Sequence, residues 1–180
     1  MMPTEIQAQR LVLRPLAMSD VARIVELAGN FEVAKMLGVV PHPYSAKDAE
    51  DWIRQTFSFV EGGERAFAID DGSGLIGSIS LGKPGKTASL GYWLGEPYWG
   101  NGYMGEAVKA VLEWFFSTTD EELVVSGALD ENTGSQKILE KAGFGQNELR
   151  LLHIPSRGVE LPASRVFLTR NEFEARRQVA

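Results

Sequence analysis

Polar and apolar positions change period several times along the chain, and each change marks an element. Arg10–Arg14 (RLVLR) alternates charge and bulk and stops at Pro15, which predicts a first strand. Val21, Ile24, Val25 and Ala28 then recur at helical spacing, predicting a helix from Asp20 to Ala28 capped by Ser19. Gly38–Tyr44 (GVVPHPY) breaks the pattern as a loop. Ser45 and Asp48 form a capping-box-like start for a second helix, with Ala49, Trp52, Ile53 and Val60 at helical spacing before Gly62-Gly63. Three short apolar runs follow, Ala66–Asp70, Leu75–Leu81 and Ala88–Leu94. Glycine-containing turns at 71–74 and 83–86 join them, which predicts an antiparallel meander.

Helical and strand periods alternate in the second half. A glycine-rich stretch at Gly100–Gly105 opens a helix with Ala107, Val108, Val111, Leu112 and Phe115 on its buried face. Leu123–Leu129 reads as a strand, and Asn132–Ala142 as a helix ended by Gly143. Leu149–Ile154 and Arg165–Thr169 flank Ser156-Arg157-Gly158 as a closing hairpin. The order β-α-α-β-β-β-α-β-α-β-β is that of an α+β fold, and the helix crossing after the meander makes two adjacent strands parallel. No repeat or linker-like run divides the chain, so residues 1–180 are expected to form a single domain.

Composition removes whole classes of chemistry. Cysteine is absent, so there is no disulfide, thiolate-held metal or cysteinyl acyl intermediate. The two histidines, His42 and His153, are far apart and no metal-ligand spacing exists, so no metal is expected. With 18 Lys+Arg against 24 Asp+Glu the net charge is −6, which argues against nucleic-acid or anionic-membrane partners. The N-terminus lacks an apolar leader, and no apolar run approaches the ~20 residues of a membrane span, so a cytoplasmic location is expected.

The strongest local signal is Trp99-Gly100-Asn101-Gly102-Tyr103-Met104-Gly105-Glu106, lying after a strand and opening a helix. Bare glycine amides at a helix N-terminus suit a phosphate-bearing ligand. Gly100, Gly102 and Gly105 satisfy G-x-G-x-x-G, so a dinucleotide is one reading. That fingerprint belongs in a parallel βαβ unit with an acidic residue about 20 positions on. Here a meander precedes it, and Asp130 lies too far along.

A second motif favours coenzyme A. Asn132-Thr133-Gly134-Ser135-Gln136-Lys137-Ile138-Leu139-Glu140-Lys141-Ala142-Gly143-Phe144 follows a strand and starts a capped helix. Together with the loop, with Arg10–Leu16 followed by Ser19-Asp20, and with Gly91-Tyr92-Trp93-Leu94, the chain resembles the GNAT superfamily of N-acetyltransferases, in particular its RimJ/RimL-like branch. The resemblance runs from about Gln9 to Phe173. It implies a GNAT-like mixed, mostly antiparallel sheet of about seven strands flanked by about four helices. It also implies acetyl-CoA as donor and a primary amine as acceptor, either a protein N-terminal α-amine or a small amine. Cofactor contacts are then expected from Trp93, Leu94, Trp99, Gly100, Asn101, Gly102, Tyr103, Met104, Gly105, Asn132, Ser135 and Lys137. His42, Tyr44 and Trp93 are the candidate acceptor-site residues.

Two departures bear on mechanism. Trp99 and Met104 replace residue types common in the superfamily, but side chains matter little where backbone binds phosphate. Leu139 stands seven residues after Asn132, where many members carry a tyrosine general acid. Ser135 is the nearest hydroxyl that could serve the leaving thiolate, and is the candidate catalytic residue. A model α-amine (pKa about 7.7–8.0) is partly neutral at pH 7, whereas a lysine (about 10.4) is almost wholly charged. An α-amine therefore needs little help from a base, and candidate bases are only His42, Glu96 and His153. A CoA-binding module without transfer is the alternative, and either a monomer or a homodimer is compatible with the sequence.

Overall fold

In a computed structural model, which describes residues 5–57, 65–82 and 87–178, one eight-stranded sheet carries helices on both faces. Chain order is β1 (Ile6–Gln7), β2 (Val12–Pro15), α1 (Val21–Ala28), α2 (Phe31–Ala34), α3 (Ala46–Phe57), β3 (Arg65–Asp70), β4 (Leu75–Gly82) and β5 (Ala88–Leu94). It continues through α4 (Tyr103–Thr118), β6 (Leu123–Leu129), α5 (Thr133–Ala142), β7 (Gly145–Ile154), β8 (Val159–Thr169) and α6 (Arg170–Arg177). The sheet order is β1-β2-β3-β4-β5-β6-β8-β7.

Each pairing is antiparallel except β5 with β6, the pair joined through α4. This is the mixed α+β sheet expected, with the parallel pair where the crossover predicted it. The two-residue β1, the four-residue α2 and the terminal α6 lie outside the expected order. Residues 58–64 and 83–86, where the second helix was expected to end and the second meander turn to fall, lie outside the described residues.

The period-two alternation of the strands divides the interior. Phe67 and Ile69 of β3 join α4 in the larger core on one face, while Ala68 and Leu75 join α1 and α3 on the other. All five residues expected on the buried face of α4 are buried. Ser45 and Asp48 cap α3 reciprocally, with Asp48 N–H to Ser45 Oγ at 3.1 Å and Ser45 N–H to Asp48 Oδ2 at 2.8 Å.

The expected cap of α1 is corrected. Ser19 is exposed within a one-turn 3-10 helix, Met18–Asp20, and the helix starts at Val21. The buried carboxylate beside it, Asp20, accepts from both guanidinium amines of Arg14 at 2.9 Å and from Ala17 N–H at 2.9 Å. A paired buried charge fixes this chain entry, and a serine cap has no part in it.

Candidate active site

The parallel pair that the crossover creates is short. Cα partners run only from Ala88 with Val124 to Ser89 with Val125. Beyond them the strands part, and the Ser126 hydroxyl bridges the opening by donating to Leu90 C=O at 3.0 Å. Backbone polar groups alternate sides along a strand. Leu90 C=O faces β6, Leu94 C=O accepts the Trp99 indole N–H at 2.7 Å, and Gly95 N–H turns instead to Ile76 C=O on β4 at 2.9 Å. The amides of Tyr92 and Leu94 therefore face the gap that β6 has left. β6 itself continues to Leu129, paired there with β8 alone.

A cleft of about 1200 Å³ occupies this gap and continues between α4 and α5. Its floor is Tyr92, Trp93 and Leu94. One end is lined by Val33, Met36 and Leu37, from α2 and the segment after it, and the far end by Lys109, Lys141, Arg176 and Arg177. Gly100, Gly102 and Gly105 form the edge between them.

The glycine edge is held from outside the cleft. Gly102, at φ +78°, precedes the first turn of α4, and the first amide taken by the helix is Glu106 N–H to Gly102 C=O at 3.1 Å. The amides of Tyr103, Met104 and Gly105 thus have no helical carbonyl of their own. Arg10 braces the turn from behind. Its N–H and Nε donate to the two Glu106 carboxylate oxygens at 2.6 and 2.8 Å, and its Nη1 to Asn101 C=O at 3.0 Å. Partial burial opposes ionisation of Glu106, but these bonds hold its carboxyl below the usual carboxylate range. A Cβ placed on Gly100 or Gly105 would meet no protein atom within 4 Å. Packing does not require glycine there, so what the missing side chains leave bare is backbone facing open space, which fits a pyrophosphate.

At the start of α5, Asn132 Oδ1 accepts Ser135 N–H at 3.1 Å, the expected N-cap. The Ser135 hydroxyl lies 2.8 Å from the Tyr92 hydroxyl, and no bond to its own helix backbone is found among the described residues. Burial pushes the Tyr92 phenol up to about 12, and the bond to Ser135 opposes that shift. Leu139, one turn further, is buried in the core.

The cleft brings together Trp93, Leu94, Trp99, Gly100, Gly102, Tyr103, Met104, Gly105, Asn132 and Ser135. Lys137 and Asn101 do not line it. Lys137 is exposed, and the Asn101 amide donates to Tyr98 C=O and Trp99 C=O at 3.1 Å, inside the loop. His42 is exposed, with Nδ1 at 3.1 Å from Gly29 C=O, and Tyr44 packs into the smaller core. Neither reaches the cleft wall, and nor do Glu96 and His153. The acids on the lining are Glu113 and Glu131, and Glu131 is paired with Arg157. Among the described residues, no group of three or more His, Cys, Asp or Glu is placed to hold a metal, and no helix is long and apolar enough to cross a membrane.

Sequence reasoning missed Tyr92 as a site residue, the apolar end and the four cations. Tyr92 lies two residues before Leu94 and so shares its orientation, a signal that period two makes available. The basic end needed α6, and Thr169-x-x-Glu172, which caps it reciprocally, was legible as a helix start.

Comparison with known proteins agrees with this geometry. Residues 10–145 match the acetyltransferase (GNAT) domain family. A relative from Bacillus licheniformis, "uncharacterized N-acetyltransferase p20", is 26% identical over 150 residues, 80% of this chain and 84% of that protein. Spermidine N-acetyltransferase from Vibrio cholerae, in complex with CoA and spermine, superposes with a TM-score of 0.76 at 19% identity, covering 92% of this chain and 98% of that one. RimL, an alpha-N-protein acetyltransferase of a ribosomal protein in complex with coenzyme A, also gives 0.76, at 18% identity, covering 92% and 97%.

Proposed function

The chain belongs to the GNAT acetyltransferases, and from that premise we propose that it moves the acetyl group of acetyl-CoA onto an α-amine, of a peptide or an amino acid derivative, by direct attack. The observation that carries this reading is the composition of the cleft. It joins a backbone-lined thioester slot to an end that is apolar and, among the described residues, holds no free base.

Acetyl-CoA supplies an activated acetyl group, and the chain's own residues do the rest. The amides of Tyr103, Met104 and Gly105 hold the pyrophosphate, assisted by the dipole of α4. Lys109, Lys141, Arg176 and Arg177 answer the remaining phosphate charge. The Tyr92 and Leu94 amides, freed by the splay, donate to the thioester oxygen as negative charge grows on it. Ser135 donates toward the departing sulfur. With no cysteine in the chain a cysteinyl acyl intermediate cannot form, and the amine attacks the thioester directly.

The acceptor follows from what surrounds it. Val33, Met36, Leu37 and Trp93 desolvate whatever amine enters, which favours a neutral amine over an ammonium. A polyamine would call for carboxylates there, and the lining acids are Glu113, toward the basic end, and Glu131, already paired. The two structural neighbours that differ in acceptor superpose equally well, so local chemistry has to discriminate between them.

Free CoA release, measured with acetyl-CoA against a panel of α-amine peptides, Nε-only lysine peptides and spermidine, tests the reading. Release with α-amine peptides alone is expected. Faster release with spermidine overturns the acceptor assignment. CoA binding without release on any amine favours the non-catalytic module.

A further inference from the structure

Thr133 and Ser135 in the first turn of α5 both line the cleft, and the hydrogen bond made by the Ser135 hydroxyl is unusual for a helical serine. Such a hydroxyl ordinarily turns back onto the carbonyl one turn earlier. Here its partner is the Tyr92 phenol on β5, at 2.8 Å, and the same phenol lies 3.4 Å from the Ser135 carbonyl. Both residues line the cleft beside Trp93 and Asn132. Either oxygen could donate in this pair, and the phenol, the more acidic of the two hydroxyls, is the stronger donor. Accepting from Tyr92 leaves the Ser135 proton uncommitted. Leu139 gives the next turn of the helix nothing to offer a sulfur atom.

We propose that Tyr92 is a positioning residue for the leaving group: its phenol donates to Ser135 Oγ and so turns the Ser135 O–H into the cleft, toward the departing sulfur. The proposal rests on the transferase reading above. In the step it serves, the amine nitrogen bonds the acetyl carbon, the carbon–sulfur bond breaks, and the electron pair leaves on sulfur. The extra proton on nitrogen passes to solvent. Ser135 and Tyr92 keep their protons throughout, so the weak acidity of a buried phenol is no obstacle. A hydrogen bond to a thiolate strengthens as charge reaches the sulfur, which is where it lowers the barrier.

The experiment needs no acceptor. CoA and desulfo-CoA, which lacks the sulfur, are titrated calorimetrically into the protein at pH 7 and pH 9.5, either side of the range in which an alkyl thiol ionises. In the wild type the preference for CoA rises about tenfold across that interval, because only the thiolate gains the charge-assisted bond. Tyr92→Phe, which keeps the ring and its packing, flattens the rise to within about twofold, as does Ser135→Ala. The double variant is no worse than Ser135→Ala alone. In a second assay, with an α-amine peptide saturating and acetyl-CoA varied, Tyr92→Phe lowers kcat about tenfold and leaves the KM for acetyl-CoA unchanged. A rise that survives Tyr92→Phe, or losses that add in the double variant, overturns the role of Tyr92 and leaves the transferase reading standing. Failure of the wild type to bind either compound overturns both.

Discussion

The two ends of the cleft are built on opposite electrostatic plans. At one end Lys109, Lys141, Arg176 and Arg177, from three helices, converge in a protein whose net charge is −6. None of the four forms an ion pair among the described residues, and Glu113 is the only acid lining that end. At the other end Val33, Met36, Leu37 and Trp93 present apolar surface, and the hydroxyl pair Tyr92–Ser135 is neutral. One end reads charge and the other removes it. The difference shows how a single groove can hold a polyanionic donor firmly while keeping an amine in its nucleophilic, uncharged form. Between them lies the glycine edge, which contributes backbone alone.

Removing that junction is expected to have the largest effect. Gly102 sits at φ +78°, where a β-branched residue is strained by about 1–2 kcal/mol. In Gly102→Val a Cβ would meet the Arg10 guanidinium at 3.5 Å, behind the turn, so the substitution acts on the pyrophosphate by displacing the first turn of α4 and its bare amides. Because hydrogen bonds to a charged group each contribute about 1.5–3 kcal/mol, losing two of them should weaken CoA binding at least about 100-fold. Calorimetry on the folded variant checks this, and unchanged affinity would move the phosphate site elsewhere.

The neutral end should reveal itself at alkaline pH. The Tyr92 phenol is raised from 10.0 to about 12, chiefly by burial. A raised pKa stabilises the fold fully below the unfolded value, and that stabilisation is lost as pH climbs from about 10 through 12. About 2 kcal/mol should be gone by pH 11.5. Urea unfolding of wild type and Tyr92→Phe at pH 9 and pH 11.5 isolates the effect, since other titrating groups are common to both. A stability gap that stays constant between the two pH values would mean the phenol titrates normally.

The charged end predicts discrimination between donors. Dephospho-CoA lacks the 3′-phosphate, and Arg176→Ala combined with Arg177→Ala removes half of the cationic end. Wild type should prefer CoA to dephospho-CoA about tenfold, and the double variant should lose most of that preference, with both effects shrinking in high salt. Equal binding of the two compounds by the wild type would leave these cations as ordinary surface charge.

How legible each end was in the sequence follows from the range of the interactions. The glycine edge and the Asn132 cap are local patterns, written in nearly consecutive residues, and the structure places Gly100, Gly102, Tyr103, Met104, Gly105 and Asn132, but not Asn101, on one cleft. The meander, the crossover and the parallel pair follow from periodicity and connection length. The apolar end does not, because Val33, Met36 and Leu37 come to share a cleft with Trp93 only through tertiary folding. His42 and Tyr44 lie nearby in sequence and are turned away, the ring of His42 packing edge-on to Phe31 at 5.2 Å. Lys137 illustrates the same limit on α5. It lies on the exposed side of the helix, while Lys141, a turn further, reaches the cleft beside Arg176, whose Nη2 donates to the Lys141 carbonyl at 3.2 Å. Identifying which cation faces the ligand required knowing where α6 docks.

The smallest predicted effect is the one that most directly tests why the apolar end is apolar. Leu37 is half-buried on the cleft wall, and Leu37→Glu would place a carboxylate beside the entering amine without touching the glycine edge or the Tyr92–Ser135 pair. A nearby negative charge favours the ammonium, so it raises the amine's pKa in the site and lowers its neutral fraction. For an α-amine peptide, KM should change little because attraction offsets the lost desolvation, while kcat at pH 7 falls about threefold, half a pKa unit's worth of neutral amine. The rate should recover at pH 9, where the α-amine is neutral in either environment. For spermidine the same carboxylate supplies the charge complement that the wild-type wall lacks, so KM should fall about threefold, the scale of one partly exposed ion pair. Initial rates for both acceptors at pH 7 and pH 9 separate these outcomes. If Leu37→Glu left both acceptors unaffected at both pH values, the amine would enter elsewhere, and the acceptor end would have to be sought away from α2.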